Sequence, residues 1–169
     1  MHTAEDDIMT QLEQIFKKNL VSSFGPQKML PELRFAEMEP GFDCGGGTYT
    51  ITKEEVEKFA RLMGDPNTGA INVPVGMIYI FGLRICWDRK VFIDQAVRAG
   101  DRITFHKPAV IGDTITTTLS IADKKEVKKE KDGKTIVNKF LYINMNAANQ
   151  KGEKITDIQM SFLLPRTMQ

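Results

Sequence analysis

Histidine is nearly absent from this chain: 169 residues contain two, His2 and His106. Chemistry that needs an imidazole at neutral pH therefore has few places to sit. Tryptophan occurs once and cysteine twice. Cys44 and Cys86 match no metal-ligand spacing, and nothing in their separation favours a disulfide. The reading is a cytoplasmic protein with reduced thiols. Excess charge is also missing: 23 Lys and Arg against 22 Asp and Glu leave a net charge of +1. The molecule as a whole is then no polyanion binder, although a local patch can be one. No stacking-aromatic pattern marks the strands, so nucleic acid is not an expected partner. The longest apolar run, near residues 73–87, is too short to span a bilayer. The opening MHTAEDDIMTQL is acidic and lacks the basic-then-apolar layout of a signal peptide. No membrane association is expected.

What is present fits one globular unit. Hydrophobic residues make up 41% and charged residues 27%, ordinary values for a domain long enough to bury a sizeable core. Residues 1–40 read as an N-terminal helical extension and an irregular approach, and residues 41–169 as the main domain. In EDDIMTQLEQIFKKNL, residues 5–20, Ile8, Leu12, Ile15, Phe16 and Leu20 share one helical face. Pro26, Pro31 and Pro40 interrupt the stretch that follows. The glycine run in GFDCGGG reads as a flexible approach to a strand TYTI, because no Lys-Ser/Thr follows it to make a phosphate loop.

ITKEEVEKFARLMGD has the signature of a helix. Thr52 and Glu55 form a capping box; Val56, Phe59, Ala60 and Met63 line one face; Gly64 suits the C-terminal cap. PVGMIYIFGLRICW, residues 74–87, is apolar almost all round and is expected as a buried helix, with Pro74 in its first turn and Arg84 reaching solvent or a partner. The remainder alternates as β structure. Ile115, Thr117, Leu119 and Ile121 face one way, and Thr116, Thr118 and Ser120 the other. Asp132-Gly133 signals a hairpin turn, and NQKGE signals another. Two helices followed by a run of antiparallel strands give an α+β fold, with one sheet wrapped around the apolar helix as the economical burial. The run KKEVKKEKDGK, residues 124–134, carries six lysines against three acids. It reads as a solvated hairpin tip that blunts an edge; the functional alternative is docking of an acidic acyl carrier protein or of CoA phosphates.

One stretch looks catalytic. GDPNTGAINVPVGM, residues 64–77, joins an acid, Asp65, and a Pro66-Asn67 turn to a helix start, and holds no histidine. Asp before Pro-Asn is also simple turn chemistry after a helix.

Taken in order, FARLMGDPN, VPVGMIYIFGL, AGDRITFHKPAVIGDTIT and NAANQKGE resemble the MaoC-like proteins, (R)-specific enoyl-CoA hydratases and 3-hydroxyacyl-thioester dehydratases of hot-dog fold. The likeness covers roughly residues 40–166. It rests on F-A-x-x-x-G-D-x-N and F-x-x-P-x-x-x-G-D-T placed on either side of the apolar helix. The resemblance implies an antiparallel sheet around a long central helix, protomers paired edge to edge as a homodimer or heterodimer, and an acyl thioester on CoA or acyl carrier protein as ligand. It implies no metal or redox cofactor.

Hydrating an enoyl thioester takes a base for water, an acid for the α-carbon and a donor for the developing enolate oxygen. The family supplies the first two from D-x-N-P-x-H and the third from a backbone N–H at the helix start. Carried over, its Asp falls on Asp65, its Asn on Asn67 and its helix-start glycine on Gly76. Its Pro falls on Thr68 and its His on Ala70, which cannot carry a proton. Asp65 and Gly76 are thus the catalytic candidates, and Asn67, Met77, Tyr79 and Phe81 the substrate-binding ones. His106 is the alternative acid–base group. Three accounts follow: a site rescued by His106 or by water on Asp65; a non-catalytic subunit that binds acyl thioesters or supports an active partner; or a hot-dog thioesterase using Asp65 as base or nucleophile.

Overall fold

The computed structural model describes residues 10–11, 21–22, 30–64, 73–89, 91 and 95–166. Apart from residues 10–11, the amphipathic segment 5–20 lies outside them, as do the loop bearing Asp65, Asn67 and Ala70 and the side chain of Trp87. Six antiparallel strands form one sheet in the order β1-β2-β4-β5-β6-β3. The strands are β1 (Val21–Ser22), β2 (Asp43–Thr50), β3 (Val97–Phe105), β4 (Thr114–Lys131), β5 (Lys134–Ala148) and β6 (Lys154–Leu163). Between β2 and β3, at opposite ends of the main run, lie helix α1 (Lys53–Leu62) and helix α2 (Val75–Asp88).

α1 starts as the capping box predicts. The Thr52 hydroxyl accepts from the Glu55 N–H (3.3 Å), and the Glu55 carboxylate accepts from the Thr52 N–H (3.0 Å) and hydroxyl (2.8 Å). Val56, Phe59 and Ala60 are buried, but Met63 is 62% exposed. Met63 belongs to the cap rather than the helix, so the helical face had already ended. Gly64 closes the end at φ +69°, a conformation that favours glycine.

α2 packs on the sheet through one face, not all round. Met77, Ile78, Phe81, Ile85 and Cys86 are buried, whereas Tyr79, Ile80 and Leu83 are half-buried and Val75 is exposed. Phe81 stacks on Tyr49 of β2 with ring centroids 3.8 Å apart. A side chain at Gly82 would overlap the end of the Met145 side chain on β5, which would have to move aside. Arg84 pairs with Asp88 at 3.2 Å.

The inner face of the sheet follows the alternation: Ile115, Thr117, Leu119 and Ile121 are buried on β4, with Leu141, Ile143 and Met145 on β5 and Ile158, Met160 and Phe162 on β6. Asp132 (φ 51°) and Gly133 (φ 71°) make the hairpin turn between β4 and β5, the left-handed pair a two-residue loop requires.

One reading needs correction. The glycine run is not an approach to a strand but part of β2 itself. It carries a bulge between Asp43 and Gly45, where Gly45 sits at φ +85° and donates to Asp43 Oδ1 at 2.7 Å. A Cβ on Gly46 would overlap the Thr117 carbonyl of β4. The irregular approach also feeds the core. Two 3-10 turns, Leu30–Glu32 and Phe35–Glu37, help deliver Leu30, Leu33, Phe35 and Met38 to the core. Lys124 binds this strap, donating to the Phe35 (3.2 Å) and Ala36 (3.1 Å) carbonyls and to Glu39 (2.7 Å). One lysine of the run is therefore structural, while Lys125 to Lys134 stay exposed.

Candidate functional site

α2 begins at Val75 just after Pro74, and its first amides have no carbonyl one turn back within the helix. Met77 N–H closes onto the Pro74 carbonyl at 2.9 Å. Gly76 sits exposed in this first turn. A Cβ built on it meets only the Phe59 ring tip, at 3.8 Å, so among the described residues close packing does not require glycine there. The amide end of a helix carries partial positive charge and suits a developing oxyanion.

Beside this turn opens a cavity of about 210 Å³. Val73, Val75 and Ile78 wall it from α2 and its approach, and Phe105, His106, Lys107, Pro108, Ala109, Ile155 and Thr156 from the ends of β3 and β6. Its lining is mainly apolar, with a histidine, a lysine and a threonine as its polar side chains. His106 directly follows the last residue of β3. Its backbone N–H donates to the Ile155 carbonyl at 3.0 Å, and its Nε2 lies 2.8 Å from Asp157 Oδ2. Lys154 Nζ is 3.4 Å from the same oxygen. Asp157 Oδ1 is buried without a hydrogen-bond partner among the described residues. Next to the pair, Lys107 donates to Glu153 at 2.6 Å. That bond, with one from Asn149, holds the exposed Glu153 carboxyl below its usual range.

The other sequence candidates lie elsewhere. Met77 and Phe81 are closed inside the core. Tyr79 is half-buried and ties α2 to β3. Its hydroxyl donates to Asp101 Oδ2 at 2.6 Å, and Arg98 grips both Asp101 oxygens at 2.9 Å. Burial first, then the Asp101 hydrogen bond, pushes the Tyr79 phenol up. None of the three borders the cavity. The Gly112-Asp113 motif is turn architecture: buried Asp113 accepts from the Val110 N–H (3.0 Å) and the Gln150 amide (3.0 Å), while Gly112 takes φ +94°. Sequence reading missed Asp157, which sits 51 residues from its histidine; only sheet register brings the two together. Among the described residues no cluster of three metal-ligating side chains exists, and no helix is long and apolar enough to cross a membrane.

No protein family and no curated protein matches the chain in sequence. Solved structures do match in fold. A MaoC-like dehydratase from Rhodospirillum rubrum aligns with a TM-score of 0.61 at 12% identity, covering 78% of this chain and 96% of that one. An (R)-hydratase from A. caviae involved in PHA biosynthesis aligns at 0.57 and 17%, covering 75% and 97%. A hypothetical thioesterase solved with coenzyme A, from Streptococcus pneumoniae TIGR4, aligns at 0.53 and 12%, covering 96% and 97%. The chain has the hot-dog fold of these proteins.

Proposed function

We propose that the protein binds short acyl thioesters of the enoyl or 3-hydroxyacyl class, carried on CoA or an acyl carrier protein, at the N-terminal end of α2. The observation that carries this reading is the apolar cavity opening at the first turn of the helix that the sheet packs against. A volume of about 210 Å³ holds about seven waters at roughly 30 Å³ each, which suits the reacting end of a short acyl chain better than a long one. The Gly76 amide takes the thioester oxygen. Asp65, the one ionisable side chain of its loop, holds the water or hydroxyl at the β-carbon. The protein works as one of a pair of subunits, joined along β3 either to a second copy or to a related hot-dog chain.

The fold is shared by a dehydratase, a hydratase and a thioesterase, and Ala70 stands where the resembling family has its histidine. Binding is therefore tested apart from turnover. Calorimetry compares crotonyl-CoA with free CoA on wild type, Gly76→Ala and Gly76→Pro. Alanine keeps the N–H and fits the space; proline is tolerated in a first helical turn but removes the donor. Crotonyl-CoA should bind more tightly than CoA to wild type and Gly76→Ala, and this preference should vanish in Gly76→Pro. Equal binding of CoA and crotonyl-CoA by wild type sinks the acyl-site reading. Loss of enoyl absorbance and release of thiol, followed together, separate hydration from hydrolysis; Asp65→Asn should lower whichever occurs.

A further inference from the structure

The geometry points to His106, oriented by Asp157, as the proton carrier of this cavity, in place of the side chain Ala70 lacks; this rests on the acyl-thioester reading above. The backbone bond to Ile155 anchors the main chain of His106, and the Nε2 contact with Asp157 holds its ring. With Nε2–H donating to Asp157, Nδ1 is the ring nitrogen left with a lone pair for chemistry. The groups facing the imidazole are Asp157 and Lys154 from β6, with the Lys107–Glu153 pair alongside. The cavity beside it is walled mainly by apolar side chains, Val73, Val75, Ile78, Phe105, Pro108 and Ile155, while the imidazole itself keeps contact with solvent. A surface ion pair needs neither such a cavity nor a carboxylate with one oxygen buried and unbonded.

The step balances on one nitrogen. As a water oxygen bonds to the β-carbon, Nδ1 takes one of its protons. The C=C electron pair moves to the α-carbon–carbonyl bond, and the carbonyl pair moves onto the thioester oxygen. The enolate then collapses back to C=O as the α-carbon takes the proton from Nδ1. His106 returns to neutral, one water has added across the double bond, and no oxidant or reductant takes part.

The test measures crotonyl-CoA hydration and, in parallel, crotonyl-CoA binding for wild type, His106→Gln, Asp157→Asn and Asp157→Glu. His106→Gln should lower kcat by about 10²- to 10⁴-fold with Kd unchanged. Asp157→Asn removes the carboxylate acceptor that holds the ring's tautomer, so kcat should fall with Kd unchanged, and Asp157→Glu, which keeps a carboxylate, should restore part of it. A kcat that Asp157→Asn leaves at the wild-type value, or that Asp157→Glu does not restore, overturns the orienting role. Turnover by His106→Gln at the wild-type rate overturns the proposal, as does wild type that binds crotonyl-CoA without hydrating it; the binding reading survives both. Wild type that does not bind the thioester removes both readings together.

Discussion

Gly46 and Gly76 are the same residue type under opposite constraints. At Gly46 a methyl group would meet the Thr117 backbone carbonyl, which cannot turn aside. At Gly76 it meets only ordinary contact. Gly46→Ala should therefore lose about 1–3 kcal/mol in urea denaturation, the usual cost of forced overpacking. Gly76→Ala should be neutral or gain a few tenths of a kcal/mol through helix propensity. Burial likewise decides the cysteines. The Cys44 and Cys86 thiols are each pushed up from 9.0 to about 12, chiefly by desolvation. Thiolate is scarce in the folded protein at pH 8.5, so alkylation should be negligible there and quick once denaturant is added. Because the folded values are raised, the thiols' share of stability is intact below pH 9 and is lost as pH climbs from 9 towards 12.

Sequence reading served the elements unevenly, for reasons that can be named. The capping box of α1 is a local device, with both partners three residues apart, and it was legible as such. The β4 alternation was equally legible because one face is buried and the period is two. The strap of residues 30–38 was not: its proline and 3-10 turns break any helical or strand period, yet it places Leu30 and Met38 at 2% and 0% exposure. Tyr79, Arg98 and Asp101 form a further unread link, since α2 meets β3 only through the folded sheet. This link is a small hydrogen-bonded network with a bidentate arginine. Tyr79→Phe should cost about 1 kcal/mol, and hydrogen exchange at the Val97–Asp101 end of β3 should quicken. An unchanged exchange pattern would mean that the strand is held by β6 alone. Of the candidate site, His106 was marked by its scarcity alone, and the cavity it shares with Val73 and Ile155 is a product of topology.

For the whole molecule, the sheet ends at β3 on one side, with β6 as its only partner among the described strands. Its other edge is unpaired among the described residues, and Val97 (60%), Ile103 (38%) and Phe105 (54%) are exposed along the strand. An apolar open edge is a pairing template unless something covers it. Wild type should therefore elute as a dimer at micromolar concentration, and Ile103→Lys should shift it to a monomer that keeps its far-ultraviolet circular dichroism. Elution of wild type as a monomer when pure, and as a dimer only with a related hot-dog chain added, would instead favour the heterodimer.

β4 and β5 run on past the rest of the sheet. The Leu164 N–H still reaches the Lys139 carbonyl at 2.9 Å, but beyond it the ribbon has two strands and is lined by exposed lysines up to Asp132-Gly133. A lysine-specific protease has a natural first target here among the described residues. A cut at the tip severs the chain without removing any residue of the core. The two pieces, still laced by the β4–β5 and β5–β6 ladders, should travel as one species through gel filtration and part only on a denaturing gel. The ribbon is thus a place where this protein can be opened, tagged or rejoined with new ends while its cavity stays assembled.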